Sequence, residues 1–330
     1  MQLLPFNDMR DCIRLTNGLD GTIWIISDTI ALKTPIEYDV SFCQLPDSAS
    51  SEWLQQSQES RESIEWEKNI FAYLNNKGAS HLIRSYFHAD EGIFMEYIPG
   101  GNLHECIKTA TSMEFSRKFY LLYQLVAIVA ELAELGLAHG DLRPENFLLD
   151  SFDYIKCCDF AATVRLGEPY RRIPWPLYIR PASRDILVAD EPGQAFSIAL
   201  PIYFIITGHR PYHTKPLHEA VNLFREGIFP ATDGGDFKIY YPVGEIIRKC
   251  WHGEYPKVSA LKLDVENAGR ALGIQRHVDP SATSPLMGEN DLRCRRNDCE
   301  SFLRGKRLAE AEFDQERTDP GIIVSGSRGM

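Results

Sequence analysis

His139-Gly140-Asp141-Leu142-Arg143-Pro144-Glu145-Asn146 runs into the apolar stretch Phe147-Leu148-Leu149, and Ile155-Lys156-Cys157-Cys158-Asp159-Phe160-Ala161 follows shortly after. A carboxylate and an amide thus lie five residues apart, and a second carboxylate comes after a short hairpin. The two short apolar runs read as its strands.

Phosphoryl transfer needs a set of this kind. One Asp orients the attacking hydroxyl and takes its proton. An Asn and a second Asp hold Mg²⁺, which neutralises charge on the phosphates. Just upstream, Phe115 to Ala138 carries apolar residues at helical spacing (Phe119, Leu122, Leu125, Val126, Val129, Leu132 and Leu135), so the loop is predicted to follow a long amphipathic helix.

Working outward, the N-terminal third alternates β-branched runs with turns. Thr22 to Ile26 and Thr29 to Lys33 flank the polar pair Ser27-Asp28 and read as a hairpin. Leu82 to Phe87 and Ile93 to Tyr97 read as two more strands, the second ended by Pro99-Gly100-Gly101. Residues 44 to 60, rich in Ser, Gln and Asp, read as a loop. A polar helix carrying Ile64, Glu67, Phe71 and Leu74 follows it. Beyond the catalytic stretch the run after Gly193 is apolar almost all round, which predicts a buried helix. Further helices are expected over 216–226, 243–251 and 259–272.

From about residue 277 to 330 the chain mixes Ser, Pro, Gly and both signs of charge. Such a composition predicts a disordered tail, with at most a short helix around Leu303 to Phe313. The formal net charge of −11 argues against a basic face for nucleic acid or anionic membrane. No N-terminal stretch reads as a signal peptide. The most apolar window, Phe196 to Thr207, is too short to span a bilayer and contains Pro201. The 8 cysteines form no zinc-binding spacing and read as reduced thiols. The expectation is a soluble intracellular protein.

HGDLRPEN followed by CDFA resembles the catalytic and metal-binding loops of eukaryotic protein kinases. Ala31-Leu32-Lys33, Glu67, and Gly18 with Gly21 resemble, in order, that family's strand Lys, its helix partner and its Gly-rich loop. Met95-Glu96-Tyr97 resembles the hinge that meets adenine. The stretches Leu223 to Pro230 and Trp251 to Tyr255 are similar to kinase-like proteins of filamentous fungi. The likeness covers roughly residues 10 to 275.

The resemblance implies an α+β, two-lobed kinase-like fold. Residues 1–97 would form a small N-lobe of five antiparallel strands and one helix, and residues 98–276 a larger, mainly helical C-lobe. It implies ATP and Mg²⁺ as ligands and a protein hydroxyl, Ser or Thr, as acceptor. Asp141 would be the catalytic base, with Lys33 and Arg143 facing phosphate, and Asn146 and Asp159 the metal ligands. Gly18, Gly21, Ile23, Ala31, Lys33, Glu67, Met95, Glu96, Tyr97 and Leu148 would line the nucleotide. His139 would be a core residue packed on Phe160.

Four positions depart from the family pattern. Gly140 replaces the Arg that clasps an activation-segment phosphate, which suggests activity independent of phosphorylation at Thr163, Tyr170 or Tyr178. Ala161 stands where the metal-binding loop has Gly. Ala182 stands where a Glu would pair with Arg248, so Arg248 needs another acid. Gln194 replaces the Asp that anchors the catalytic loop. Ala161, Ala182 and Gln194 leave a pseudokinase as the alternative, and His-Gly-Asp leaves a small-molecule phosphotransferase as the second.

Overall fold

β-Branched and aromatic side chains near the N-terminus build a five-stranded antiparallel sheet. Its strands are β1 (Ile13–Asn17), β2 (Thr22–Ile25), β3 (Ile30–Thr34), β4 (Ser85–Ala89) and β5 (Gly92–Glu96), in the order β1-β2-β3-β5-β4. The computed structural model describes residues 2–6, 8–18, 20–40, 47–172, 175–178, 180, 187–238, 240–274 and 287–318. The chain divides into two units. One comprises Met1–Lys68, Ser85–Tyr97 and Met287–Met330, and the other Asn69–Arg84 and Ile98–Leu286.

The register separates the two faces of the sheet. Trp24 pairs with Leu32 and Leu32 with Phe94, so these three share one face. Ile23 pairs with Lys33, Lys33 with Ile93 and Ala31 with Met95 on the other.

Helix α1 (Asp47–Lys77) reaches the Lys33 face through Glu67. Its buried positions, Ser60, Ser63, Ile64, Glu67, Ile70, Phe71 and Leu74, recur every three or four residues. The reading of residues 44–60 as a loop is corrected from Asp47 onward, since 41–46 lie outside the described residues. Composition there favours coil, but tertiary partners decide. Trp53 stacks on Tyr38 with ring centroids 5.2 Å apart. The Ser57 hydroxyl accepts the Tyr38 N–H and the Ser60 hydroxyl the Ile36 N–H. Gln55–Glu59 and Gln58–Glu62 pairs support the helix one turn apart.

The expectation of a disordered tail is also corrected. Helix α2 (Leu103–Thr109) belongs to the second unit, but α8 (Glu289–Thr318) belongs to the first. Its Cys299 and Leu303 are buried with Phe6, Met9, Trp24, Ile30, Leu32, Tyr86 and Phe94. Leu292 and Phe302 pack at the margin of this cluster. Few as they are, these side chains lie on one helix face and meet a sheet face that is itself apolar, so their burial outweighs the ordering cost. Arg307 clamps the turn after β4 through a bidentate bond to Glu91, 2.7 and 2.9 Å. Burial works against the Glu91 carboxylate, yet Arg307 holds it below the usual range. Residues 275–286 and 319–330 lie outside the described residues.

In the second unit, α3 (Phe115–Glu134) packs against α4 (Glu191–Thr207) and α7 (Val258–Ala271), and α4 against α6 (Tyr241–Trp251). Helix α5 is Leu217–Arg225. The expected helices are present, but α3 stops at Glu134. Gly136 then takes a left-handed φ of 71° and Leu137–Ala138 becomes β6. The hairpin β7 (Phe147–Leu149) and β8 (Ile155–Cys157) follows, and β9 (Val164–Arg165) pairs with β6. Among the described residues, no helix is long and apolar enough to cross a membrane.

Leu303→Ala should lower unfolding stability by about 2–5 kcal/mol, as for other fully buried leucines. Chemical denaturation measures it. A change within experimental error would mean that α8 does not pack on the sheet.

Candidate active site

In the first unit, the pleat that sends Leu32 toward α8 sends Lys33 toward α1. Its Nζ lies 2.6 Å from Glu67 Oε2, with side-chain exposures of 5% and 1%. A buried pair of this kind fixes geometry, because either charge alone would lose its compensation. Ile23, Ala31 and Met95 share the Lys33 face by register, Ala31 and Met95 buried and Ile23 half-buried. Glu96 and Tyr97 follow at the end of β5, where the Tyr97 N–H donates to the Thr29 carbonyl at 3.0 Å. The β1–β2 turn closes through the Gly18 N–H to the Gly21 carbonyl, 2.9 Å. Gly21 admits no side chain, because a Cβ would stand 2.6 Å from the Thr34 carbonyl oxygen.

The second unit carries the other expected residues. Leu148 lies half-buried on β7, its backbone bridged to Asn102. Arg143 Nε lies 2.9 Å from Asp141 Oδ1, and Asn146 Nδ2 donates to Asp141 Oδ2 at 3.0 Å and to its carbonyl at 2.8 Å. The Asp141 side chain still keeps 22% exposure. The Cys158 N–H donates to the Asn146 carbonyl at 2.9 Å, which ties the loop to the strand leading into Asp159. Asp159 itself is left-handed, φ 65°, a conformation that Asp tolerates better than most residues. Because the Asn146 amide nitrogen is committed to Asp141, its amide oxygen is the atom left for a cation. That oxygen and the Asp159 carboxylate are hard donors of the type Mg²⁺ takes, alongside water and phosphate oxygens.

His139 is fully buried, its ring 5.6 Å from that of Phe160, which meets Phe71 edge-on at 5.2 Å. The Asp141 N–H points to Nδ1 at 3.2 Å, and Nε2 lies 3.0 Å from the Cys158 carbonyl. The proton therefore sits on Nε2. Burial lowers the ring's pKa against the pull of Asp141 and Asp159, so the imidazole is neutral. It braces the loop, as expected from the sequence.

The departures have local explanations. Gly140 has φ 79°, and a Cβ would stand 2.5 Å from the Ala162 carbonyl oxygen, so this backbone excludes Arg. Gln194 is buried, accepts the His139 N–H at 3.3 Å and donates to the Leu137 carbonyl at 3.0 Å. A carboxylate could make only the first bond. Arg248 finds Glu245 and Glu254, with closest contacts of 2.7 and 2.6 Å, and is half-buried. Ala182 lies outside the described residues. Ala161 is buried and its carbonyl accepts from Arg171 at 3.4 Å. Thr163 is buried with its hydroxyl on the His139 carbonyl, 3.2 Å. Burial pushes the Tyr170 phenol up to about 12, helped by Asp190, and raises Tyr178 beside Glu145 and Asp141.

The protein kinase domain model matches residues 50–242, more than half of the chain. The chain belongs to the protein kinase family. The match starts within α1, so Lys33 lies outside it and rests on the geometry above. The kinase domain is 32% identical over 97 residues to the serine/threonine-protein kinase ppk35 of Schizosaccharomyces pombe, covering 28% of this chain and 16% of that one. It is 29% identical over 172 residues to a cGMP-dependent protein kinase of Toxoplasma gondii, covering 50% and 17%. It is 24% identical over 148 residues to a cAMP-dependent protein kinase catalytic subunit-like protein of Caenorhabditis elegans, covering 44% and 35%. The aligned stretches therefore span well under two thirds of these relatives.

Sequence reasoning missed two features of this domain. Gln194 was noted as a replacement for Asp, but not its donation to the Leu137 carbonyl. Asp20 was not singled out, although the buried spacing of Ser60, Ser63 and Glu67 on α1 marks the helix face that meets it.

Lys33→Met should cost about 3–5 kcal/mol by removing the cation paired with the buried Glu67 carboxylate, while Lys33→Met with Glu67→Leu should recover most of that stability. Equilibrium denaturation of the two variants decides it. A single variant no less stable than the double would contradict the buried pair.

Proposed function

We propose that this kinase domain transfers the γ-phosphoryl group of Mg-ATP to a serine or threonine hydroxyl of a protein. The observation that carries the reading is the Asp141 carboxylate, gripped by Arg143 and Asn146 yet still partly exposed. Asp141 takes the proton of the acceptor hydroxyl. The hydroxyl oxygen bonds to the γ-phosphorus, the bond to the β–γ bridging oxygen breaks, and ADP leaves with that electron pair. Lys33, oriented by Glu67, neutralises phosphate charge. Arg143 fixes Asp141 and offers a cation to the transferred group.

Asn146 and Asp159 would hold Mg²⁺, which neutralises the phosphate oxygens when bound. The β1–β2 turn, closed by the Gly18 N–H on the Gly21 carbonyl, would bring the Gly21 backbone up to the phosphates. Ile23, Ala31 and Met95 offer an apolar face to the base, and the Glu96 backbone with the Tyr97 carbonyl its hydrogen-bonding edge, the Tyr97 N–H being held by Thr29. The choice of Ser or Thr over Tyr rests on Arg143-Pro144-Glu145-Asn146 and on relatives named serine/threonine-protein kinases.

Labelled γ-phosphate should pass from Mg-ATP to the protein itself or to a generic protein substrate. Asp141→Asn should reduce that transfer by about 10²–10⁴-fold, the usual worth of a general base. No label from the intact protein, with ATP binding retained, would overturn the enzyme reading and leave a nucleotide-binding module.

A further inference from the structure

The β1–β2 turn holds a residue of the wrong charge for its proposed task. Asp20 precedes Gly21 in a turn whose backbone is assigned above to nucleotide phosphates. A carboxylate free to face those phosphates would repel them.

The Asp20 carboxylate is instead held on α1. The Ser63 hydroxyl donates to Asp20 Oδ1 at 3.0 Å. The Ser60 hydroxyl donates to the Asp20 carbonyl at 2.9 Å and accepts the Ile36 N–H at 2.8 Å. Both serines are 1% exposed, so these bonds replace water that cannot reach them. Ser60, Ser63 and Glu67 stand three and four residues apart on one face of α1. The same helix face therefore grips Lys33 on β3 and the turn between β1 and β2.

We propose that Asp20 is a positioning residue for the nucleotide. Ser60 and Ser63 latch its turn onto α1, hold its carboxylate away from the phosphates, and make the turn and the Lys33–Glu67 pair move as one body. This inference rests on the Mg-ATP reading above.

The test uses the full chain, with Ser63→Ala, Asp20→Asn and the two combined. Ligands are Mg-ATP and adenosine, which lacks phosphates, and binding is followed by calorimetry. Amide exchange over residues 18–23 is measured without ligand.

Ser63→Ala removes one hydrogen bond from the Asp20 carboxylate and loosens its hold on α1. It should weaken ATP binding roughly tenfold, the scale of one lost hydrogen bond to a charged group, and leave adenosine binding unchanged. Exchange in the turn should quicken. Adding Asp20→Asn should return ATP affinity to near the wild-type value, since the side chain is then neutral. Unchanged ATP affinity in Ser63→Ala overturns the proposal. So does a parallel loss for ATP and adenosine, which would mark general damage, and so does a failure of Asp20→Asn to rescue. If the unaltered chain binds neither ligand, the ATP reading falls, and exchange alone decides the latch: faster exchange in Ser63→Ala supports it and unchanged exchange refutes it.

Discussion

The Lys33–Glu67 ion pair sets the terms for the rest of the first unit. Two opposite charges sit 2.6 Å apart with almost no exposure. Desolvation makes such a pair weak as a source of stability but strict about geometry, since any slip strands a charge. The pair fixes which face of β3 meets α1 and at which turn of the helix. Once Glu67 is placed, helical spacing puts Ser63 and Ser60 beside the β1–β2 turn and Ile64 in the core. One electrostatic constraint thereby orders a strand, a helix and a glycine turn.

Hydrogen bonding plays the corresponding part in the second unit. Neutral, buried His139 joins the Asp141 N–H to the Cys158 carbonyl, and Gln194 joins the His139 N–H to the Leu137 carbonyl. Neutral groups on His139 and Gln194 thus tie the loop that carries Asp141 to its neighbours. Three departures from the family pattern become intelligible on this basis. Gln194 exchanges one charge-assisted bond for two neutral ones. Arg248 replaces a lost Glu with two nearby acids. Gly140 occupies a backbone that a larger residue could not adopt.

Much of this was legible beforehand. The apolar spacing from Phe119 to Leu132 marks α3, and HGDLRPEN with CDFA marks the loop because few other arrangements place Asp, Asn and Asp so. The start of α1 and the full extent of α8 were not legible, for the same physical reason. The first turns of α1 read as coil by composition and are helical because Trp53, Ser57 and Ser60 meet Tyr38 and Ile36. Helix α8 reads as a charged tail, but Leu292, Cys299, Phe302 and Leu303 share one face. That period was present in the sequence. What was missing was the apolar face of the sheet, formed only when Trp24, Leu32 and Phe94 come into register. Long-range partners, not local preference, decided both.

The central claim is that the loop carrying Asp141 and the strand leading into Asp159 together make a phosphoryl-transfer centre. Diffraction at the Mn²⁺ anomalous edge, from crystals grown with Mn²⁺ and a non-hydrolysable ATP analogue, tests it most directly. The account predicts a cation bound by the Asp159 carboxylate and the Asn146 amide oxygen and shared with the analogue's phosphates. Bound nucleotide with no cation on Asn146 or Asp159 would contradict it.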